Sequence, residues 1–236
     1  MTTKKVEIRK TRRRLKIKNI MIFIAILVLV INFVICFLEL PIKNIYISGN
    51  DILTDNEIIE LASIDKYPSF VLSTNKNMEK KISSSAYVSS VVVKKKFWGK
   101  VYIEVSENYP LCIDISTKEI ILSSGERVVD DREFEDIPIL INSIEGIHDE
   151  FVEKFKLIDR NILLKISQIE YSPVNVDVER FYLAMTDGNY VYVTLTKIKS
   201  INKYPSIREE MNGKKGIIYL DSGNYIEIKD DNNEEG

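Results

Sequence analysis

The stretch IKNIYISGNDILTDNEIIELA, residues 42–62, decides how the folded part of this chain begins. Residues 42–50 alternate apolar and polar side chains and stop at Gly49-Asn50, the pattern of a half-buried strand ending in a turn. Thr54 and Glu57 then stand at capping-box spacing, and Ile58, Ile59, Leu61 and Ala62 supply one apolar face. A strand followed at once by a capped helix is predicted.

Beyond it, Tyr67-Pro68-Ser69 makes a turn, with Phe70 and Leu72 as expected core anchors, and Thr74 or Asn75 caps a second helix through Met78 and Ile82. Residues 86–110, AYVSSVVVKKKFWGKVYIEVSENYP, hold two β-rich runs, Tyr87 to Lys96 and Val101 to Glu107. Phe97-Trp98-Gly99-Lys100 joins them as a hairpin. The order is strand, helix, helix, strand, strand.

On the N-terminal side, Ile20 to Leu38 is nineteen residues without a charge and with Asn32 as its only polar interruption. That length matches one helical crossing of a bilayer. Residues 1–19 carry nine Lys or Arg against Glu7 alone, a balance of +8, which leaves −10 for the rest of a chain whose net charge is −2. The positive-inside rule keeps the basic block in the cytoplasm and places everything after Glu39 outside. A cleaved signal peptide needs small residues near its cleavage site, and from Ile31 to Ile47 there is no Ala, Gly or Ser. Cys36 follows Ile35, where a lipid-attachment signal requires a small residue, so the segment reads as an uncleaved anchor. With Cys36 in the span, Cys112 has no disulfide partner, and the part outside must be stabilised by an apolar core.

From Leu111 the pattern changes to many short strands: LCIDI, EIILSSGERVV, DIPILIN, ISQIEYSPVNVDV and RFYLAMTDGNYVYVTL, the last turning at Asp187-Gly188-Asn189. Residues 148–166 place Phe151, Phe155, Ile158, Ile162 and Leu163 on one helical face. A further helix is predicted from Lys197 to about Met211, kinked or restarted by Pro205. Residues 216–228, GIIYLDSGNYIEI, form a closing hairpin around Asp221-Ser222-Gly223-Asn224, and a closing strand tends to lie at a sheet edge. The acidic residues after it read as unstructured. The whole is α+β, the second part built on an antiparallel sheet.

Catalytic signatures are absent. His148 is the sole histidine, with no nucleophile motif or carboxylate arranged to serve it, and no phosphate-binding, dinucleotide-binding or metalloprotease motif appears. The carboxylates Asp130, Asp131, Glu133, Glu135 and Asp136 lack calcium-loop spacing and read as a solvated acidic loop. Lys94, Lys95 and Lys96, beside Phe97 and Trp98, fit either anionic headgroups or wall polymer, or serve as lysines that keep a strand from pairing. Outside the membrane, nucleic acid is not an expected partner, and no cofactor or metal is expected.

In this order the pieces resemble the FtsQ/DivIB family of bacterial cell-division proteins. IKNIYISGNDILTDNEIIELA, YPSFVLST and the hairpin closing in Val105, Glu107 and Pro110 resemble its POTRA domain. Ala86 stands where the family commonly has Pro, and Trp98-Gly99 replaces its usual hairpin Pro. DIPILIN, LAMTDGNYVYVTL and GIIYLDSGNYIEI resemble its β domain. The resemblance implies a basic cytoplasmic tail (1–19), a transmembrane helix (20–38), a POTRA domain (39–110), a mainly antiparallel β domain with flanking helices (111–229) and an acidic disordered tail (230–236). It also implies a non-enzymatic scaffold at the division septum that binds FtsL-like and FtsB/DivIC-like partners and helps to regulate septal peptidoglycan synthesis. Tyr219, Leu220, Asp221, Ser222 and Tyr225 stand where the family's partner contact falls, with Lys197 as the nearest match to a preceding basic contact. The mode implied is addition of a partner strand to the edge, for which tyrosines are suited. Two other readings stay open: a membrane-tethered cell-wall hydrolase using the 130–136 carboxylates, and a cell-surface sensor.

Overall fold

The structure, a computed structural model, describes residues 17–132, 134 and 136–228. The basic block up to residue 16, Glu133, Glu135 and the acidic tail lie outside the described residues. Helix α1 (Ile17–Leu38) takes in three residues before the uncharged run, and none of its side chains is buried. Its 22 residues span about 33 Å, enough for a hydrocarbon core of about 30 Å. Among the described residues it is the one helix long and apolar enough to cross a membrane.

The residues from 44 to 107 form strand β1 (Asn44–Ser48), helices α2 (Asp55–Leu61) and α3 (Asn75–Ile82), and strands β2 (Val88–Lys96) and β3 (Lys100–Glu107). The sheet order is β1-β3-β2, with β1 parallel and β2 antiparallel to β3. Both predicted helix starts form. The Glu57 amide donates to Thr54 Oγ1 at 3.3 Å while the Thr54 amide donates to the Glu57 carboxylate at 2.7 Å, and Thr74 accepts from the Asn77 amide. Ile58, Met78 and Ile82 from the helices meet Val101 and Ile103 of β3 in the core.

Two sequence features of this module have clear causes. Gly49 (φ +84°) lies so close to β3 that a Cβ would sit 2.1 Å from the Val105 carbonyl oxygen, so no side chain fits. The Glu107 carboxylate accepts from the amides of Asp51, Ile52 and Leu53 at 2.7–2.9 Å, and so holds the loop between β1 and α2. The two positions fasten the first strand to the last. Leu72, expected as a core anchor, is instead 66% exposed, because its segment turns outward beside the end of α1; Phe70 is partly buried against the core.

The second sheet contains β4 (Pro110–Asp114), β5 (Glu119–Leu122), β6 (Arg127–Val128), β7 (Ile139–Leu140), β8 (Ile166–Tyr171), β9 (Arg180–Met185), β10 (Tyr190–Thr194), β11 (Gly216–Tyr219) and β12 (Tyr225–Ile228). Its order is β12-β11-β10-β9-β8-β7-β4-β5-β6. The sheet is mixed: β7 runs parallel to both β4 and β8, and β10 runs parallel to β11. Helices α4 (His148–Phe155), α5 (Arg160–Leu163) and α6 (Tyr204–Glu210) join the 3-10 segment Leu195–Lys203 around a core that includes Phe151, Phe155, Phe181 and Leu183.

The single helix predicted over 148–166 breaks after Phe155. Asp159 is extended (ψ 133°) and its amide donates to the Asn202 side chain at 2.9 Å, so a tertiary contact holds the chain out of the helix, and Ile166 already opens β8. The helix predicted from Lys197 becomes the 3-10 segment followed by α6. Pro205 sits in the first turn of α6, where its missing N–H leaves no bond unmade.

The two sheets share packing. Ile120 and Leu122 of β5 belong to the core of the first module, and Phe134 stacks on Tyr87. Arg132 bonds Asp130, lies 4.5 Å over the Tyr87 ring and donates to the Ile52 carbonyl, while the Tyr87 hydroxyl donates to Asp130 at 2.7 Å. These bonds commit Asp130, the first carboxylate of the 130–136 run, to a structural clamp. The Arg132 hydrogen bonds are the largest influence holding the Asp130 carboxyl at about 2, against an ordinary 3.8. Because the folded value is the lower one, this contribution, about 2 kcal/mol, is complete above the ordinary value and is lost as pH falls through about 2. Arg132→Ala is expected to remove most of that acid-dependent step, read by denaturant unfolding at neutral and at acid pH. An unchanged pH dependence contradicts the clamp.

Candidate protein-interaction edge

Alternation within β9, β10 and β11 sends Phe181, Leu183, Val191, Val193 and Ile218 to the helix-covered core and leaves the tyrosines on the opposite face. Tyr182, Tyr190, Tyr192, Tyr219 and Tyr225 stack across four strands with ring centroids 4.4–5.4 Å apart. Burial, followed by the charges of its neighbouring tyrosines, pushes the Tyr182 phenol up to about 12. Arg180 lies 3.7 Å over the Tyr192 ring and donates to the Asp221 carboxylate at 2.8 Å.

The six residues singled out in the sequence come together at the β11–β12 turn, in distinct roles. Leu220 is buried in the core and Tyr219 is half-buried on the outer face. The Asp221 carboxylate, 8% exposed, is occupied by Arg180 and by Ser222, whose amide and hydroxyl donate to it. Lys197 reaches in from the 3-10 segment and donates to the Asp221 carbonyl at 2.6 Å. Tyr225 is 51% exposed on β12. Arg180, Tyr182, Tyr192 and Ile226 were not singled out. Alternation in RFYLAM and YVYV marked their faces, but nothing local brings those strands beside the closing hairpin.

Among the described residues β12 is the last strand of the sheet, and all of its residues are exposed. The Leu220 amide donates to Tyr192 O at 2.8 Å and the Gly216 amide to Asn189 Oδ1 at 3.0 Å, so even-numbered backbone groups of β11 face β10. The amides of Ile217 and Tyr219 therefore face their partners Glu227 and Tyr225, and the N–H and C=O groups of Ile226 and Ile228 point to the free edge. On the helix side a groove of about 240 Å³ lined by Lys203, Ile207, Glu210, Ile218 and Ile226 runs alongside. The start of β11 is fixed by buried Asn189, which also donates to Tyr204 Oη at 3.0 Å, while the Tyr204 hydroxyl donates to Asp187.

His148 occupies both ring nitrogens, with Gly125 O at 3.0 Å and the Arg127 guanidinium at 3.4 Å. Among the described residues no group of three or more His, Cys, Asp or Glu could hold a metal ion.

Fold and edge define a class: a protein with a membrane-length helix, a POTRA-type module and a β domain that presents a free strand. Residues 40–108 match the family model described as "POTRA domain, FtsQ-type". Over 232 residues the chain is 28% identical to the cell division protein DivIB of Bacillus subtilis, covering 92% of this chain and 87% of that protein. It is 24% identical to DivIB of Listeria monocytogenes, covering 94% and 86% respectively. Among solved structures it is similar to the major extracytoplasmic domain of DivIB from Geobacillus stearothermophilus, at 19% identity and a TM-score of 0.38, covering 45% of this chain and 96% of that one. Residues 40–108 thus match an FtsQ-type POTRA domain, and the chain is similar to DivIB cell division proteins over about nine tenths of its length.

Proposed function

We propose that this chain is a non-enzymatic, single-pass membrane scaffold of bacterial cell division. Residues 1–19 lie in the cytoplasm, 20–38 cross the membrane, and the POTRA domain (39–110), the β domain (111–229) and the acidic tail (230–236) lie outside at the septum. There it captures FtsL-like and FtsB/DivIC-like membrane partners and through them helps to regulate septal peptidoglycan synthesis. The observation that carries this reading is the unpaired edge of β12, flanked on one face by stacked tyrosines and on the other by a groove whose isoleucines lie between Lys203 and Glu210. A partner strand adding to that edge gains main-chain hydrogen bonds for affinity, and alternate side chains meet tyrosines and groove for selectivity. Tyr219 and Tyr225 contact the partner, while Lys197, Asp221, Ser222 and buried Leu220 set the shape of the turn.

The test is co-purification of the full chain with FtsL-like and DivIC-like partners from one membrane extract, with a peptidoglycan-cleavage assay on the same material. Stable co-elution without turnover is expected. Turnover abolished by Asp131→Ala, or no co-elution, overturns the reading.

A further inference from the structure

The end of α1 is fastened to the first module. The Ser69 hydroxyl donates to the Leu38 carbonyl, the Phe70 amide donates to Leu40 O at 2.7 Å, and the Lys43 amide donates to Gly99 O at 2.8 Å. Gly99 is buried there, and a Cβ on it would meet the Pro41 carbonyl oxygen at 2.8 Å. The β2–β3 turn is therefore held against Pro41 and Lys43, three and five residues past the point where the apolar helix ends. At that turn Phe97 is 89% and Trp98 85% exposed, with both Trp98 and Gly99 at positive φ. Tyr67 and Leu72, also exposed, lie on the 67–73 segment bonded to the same helix end.

The basic residues at the turn divide by role. Lys95 is used internally: its ammonium donates to Phe70 O and Ser73 O, and burial lowers its pKa. Lys94 pairs with Glu104 at 3.0 Å. Lys43 and Lys96 are exposed beside the aromatic tip, with half-buried Lys100 next to them.

We propose that the β2–β3 turn is a second membrane contact, in which Phe97 and Trp98 enter the headgroup layer around α1 while Lys43, Lys96 and Lys100 face anionic lipid phosphates. Aromatic side chains concentrate at that layer, and lysines next to a membrane surface gain from its negative potential. The contact restrains the tilt of the module on its anchor and so sets the height of the β domain above the bilayer. It rests on α1 crossing the membrane and is independent of which side the module faces.

Trp98 is the sole tryptophan, so its emission reports on this turn alone. The full chain is reconstituted in phosphatidylglycerol vesicles and in phosphatidylcholine vesicles, with and without lipids brominated just below the headgroup. In phosphatidylglycerol, emission is expected to shift to the blue and to lose intensity to the brominated lipid, because an aromatic ring seated in the headgroup layer lies next to the bromines. The loss is expected to shrink in phosphatidylcholine and in the triple variant Lys43→Glu, Lys96→Glu, Lys100→Glu. Trp98 emission that ignores brominated lipid and is freely quenched by iodide overturns the proposal, as does protection from iodide that appears only when peptidoglycan is added. Flotation of the same vesicles after alkaline carbonate separates the premises. A chain that fails to float overturns both the anchor and the contact, and a chain that floats with a water-exposed Trp98 overturns the contact alone.

Discussion

Replacing Gly49 with alanine is expected to cost about 4 kcal/mol or more and to leave the three-stranded sheet unable to close, whereas Gly213→Ala is expected to cost about 1 kcal/mol. The pair is informative because the backbone conformations are nearly the same, φ +84° at Gly49 and +79° at Gly213. Both substitutions therefore incur the penalty of a left-handed conformation. They differ in space. At Gly213 nothing lies within 4 Å of the new methyl, while at Gly49 it meets the Val105 carbonyl at 2.1 Å, a backbone atom of the central strand that cannot rotate away. Relief would require β1 to move off β3, which breaks their parallel register from Asn44↔Lys100 to Ser48↔Glu104 and pulls the 51–53 amides off Glu107. Urea unfolding of the chain from residue 39 onward measures both costs. Equal values for the two alanines would mean that the β1–β3 approach is not a rigid feature of the module.

The second large effect is on partner capture. Ile226→Pro is expected to weaken it by about 100-fold, close to 3 kcal/mol, while changing stability by no more than about 0.5 kcal/mol. The Ile226 amide points to the free edge, so proline removes no bond to β11, and edge positions tolerate proline for that reason. An incoming strand loses a donor at that position and meets the pyrrolidine ring in its path. Ile226→Ala keeps the N–H and trims only the groove wall, so it is expected to weaken capture far less, and the pair separates main-chain pairing from side-chain contact. Deleting 216–229 is a poorer test, since it also removes Ile218 and Leu220, which are 1% and 4% exposed in the core.

What could be read from the sequence follows the range of the interactions involved. The Thr54–Glu57 capping box, the Thr74 cap, the hairpin through Trp98-Gly99 and the uncharged helix are local patterns, and they form where the residues place them. The break after Phe155 was not legible because its cause is Asn202, far along the chain, bonding the Asp159 amide. The parallel placement of β11 beside β10 depends on a crossover through the 3-10 segment and α6, so the tyrosine face could not be assembled from single strands. Of the closing hairpin, the sequence marks a closing strand of the kind that borders a sheet, but not that β11 lies inside it and β12 outside, or that Asp221 is taken by Arg180. Lys197 was reached through family resemblance alone, and its hydrogen bond to the Asp221 carbonyl supplies the physical reason for a basic residue there.

The central claim is that the free edge of β12 is where a partner strand adds. Amide hydrogen exchange of the full chain, measured alone and with the proposed FtsB/DivIC-like partner bound, reads that edge directly. Tyr225 and Glu227 pair inward with Tyr219 and Ile217, so their amides should change little. The amides of Ile226 and Ile228 are expected to exchange freely in the chain alone and to become strongly protected in the complex. A partner that remains bound while Ile226 and Ile228 exchange as fast as before would contradict the account.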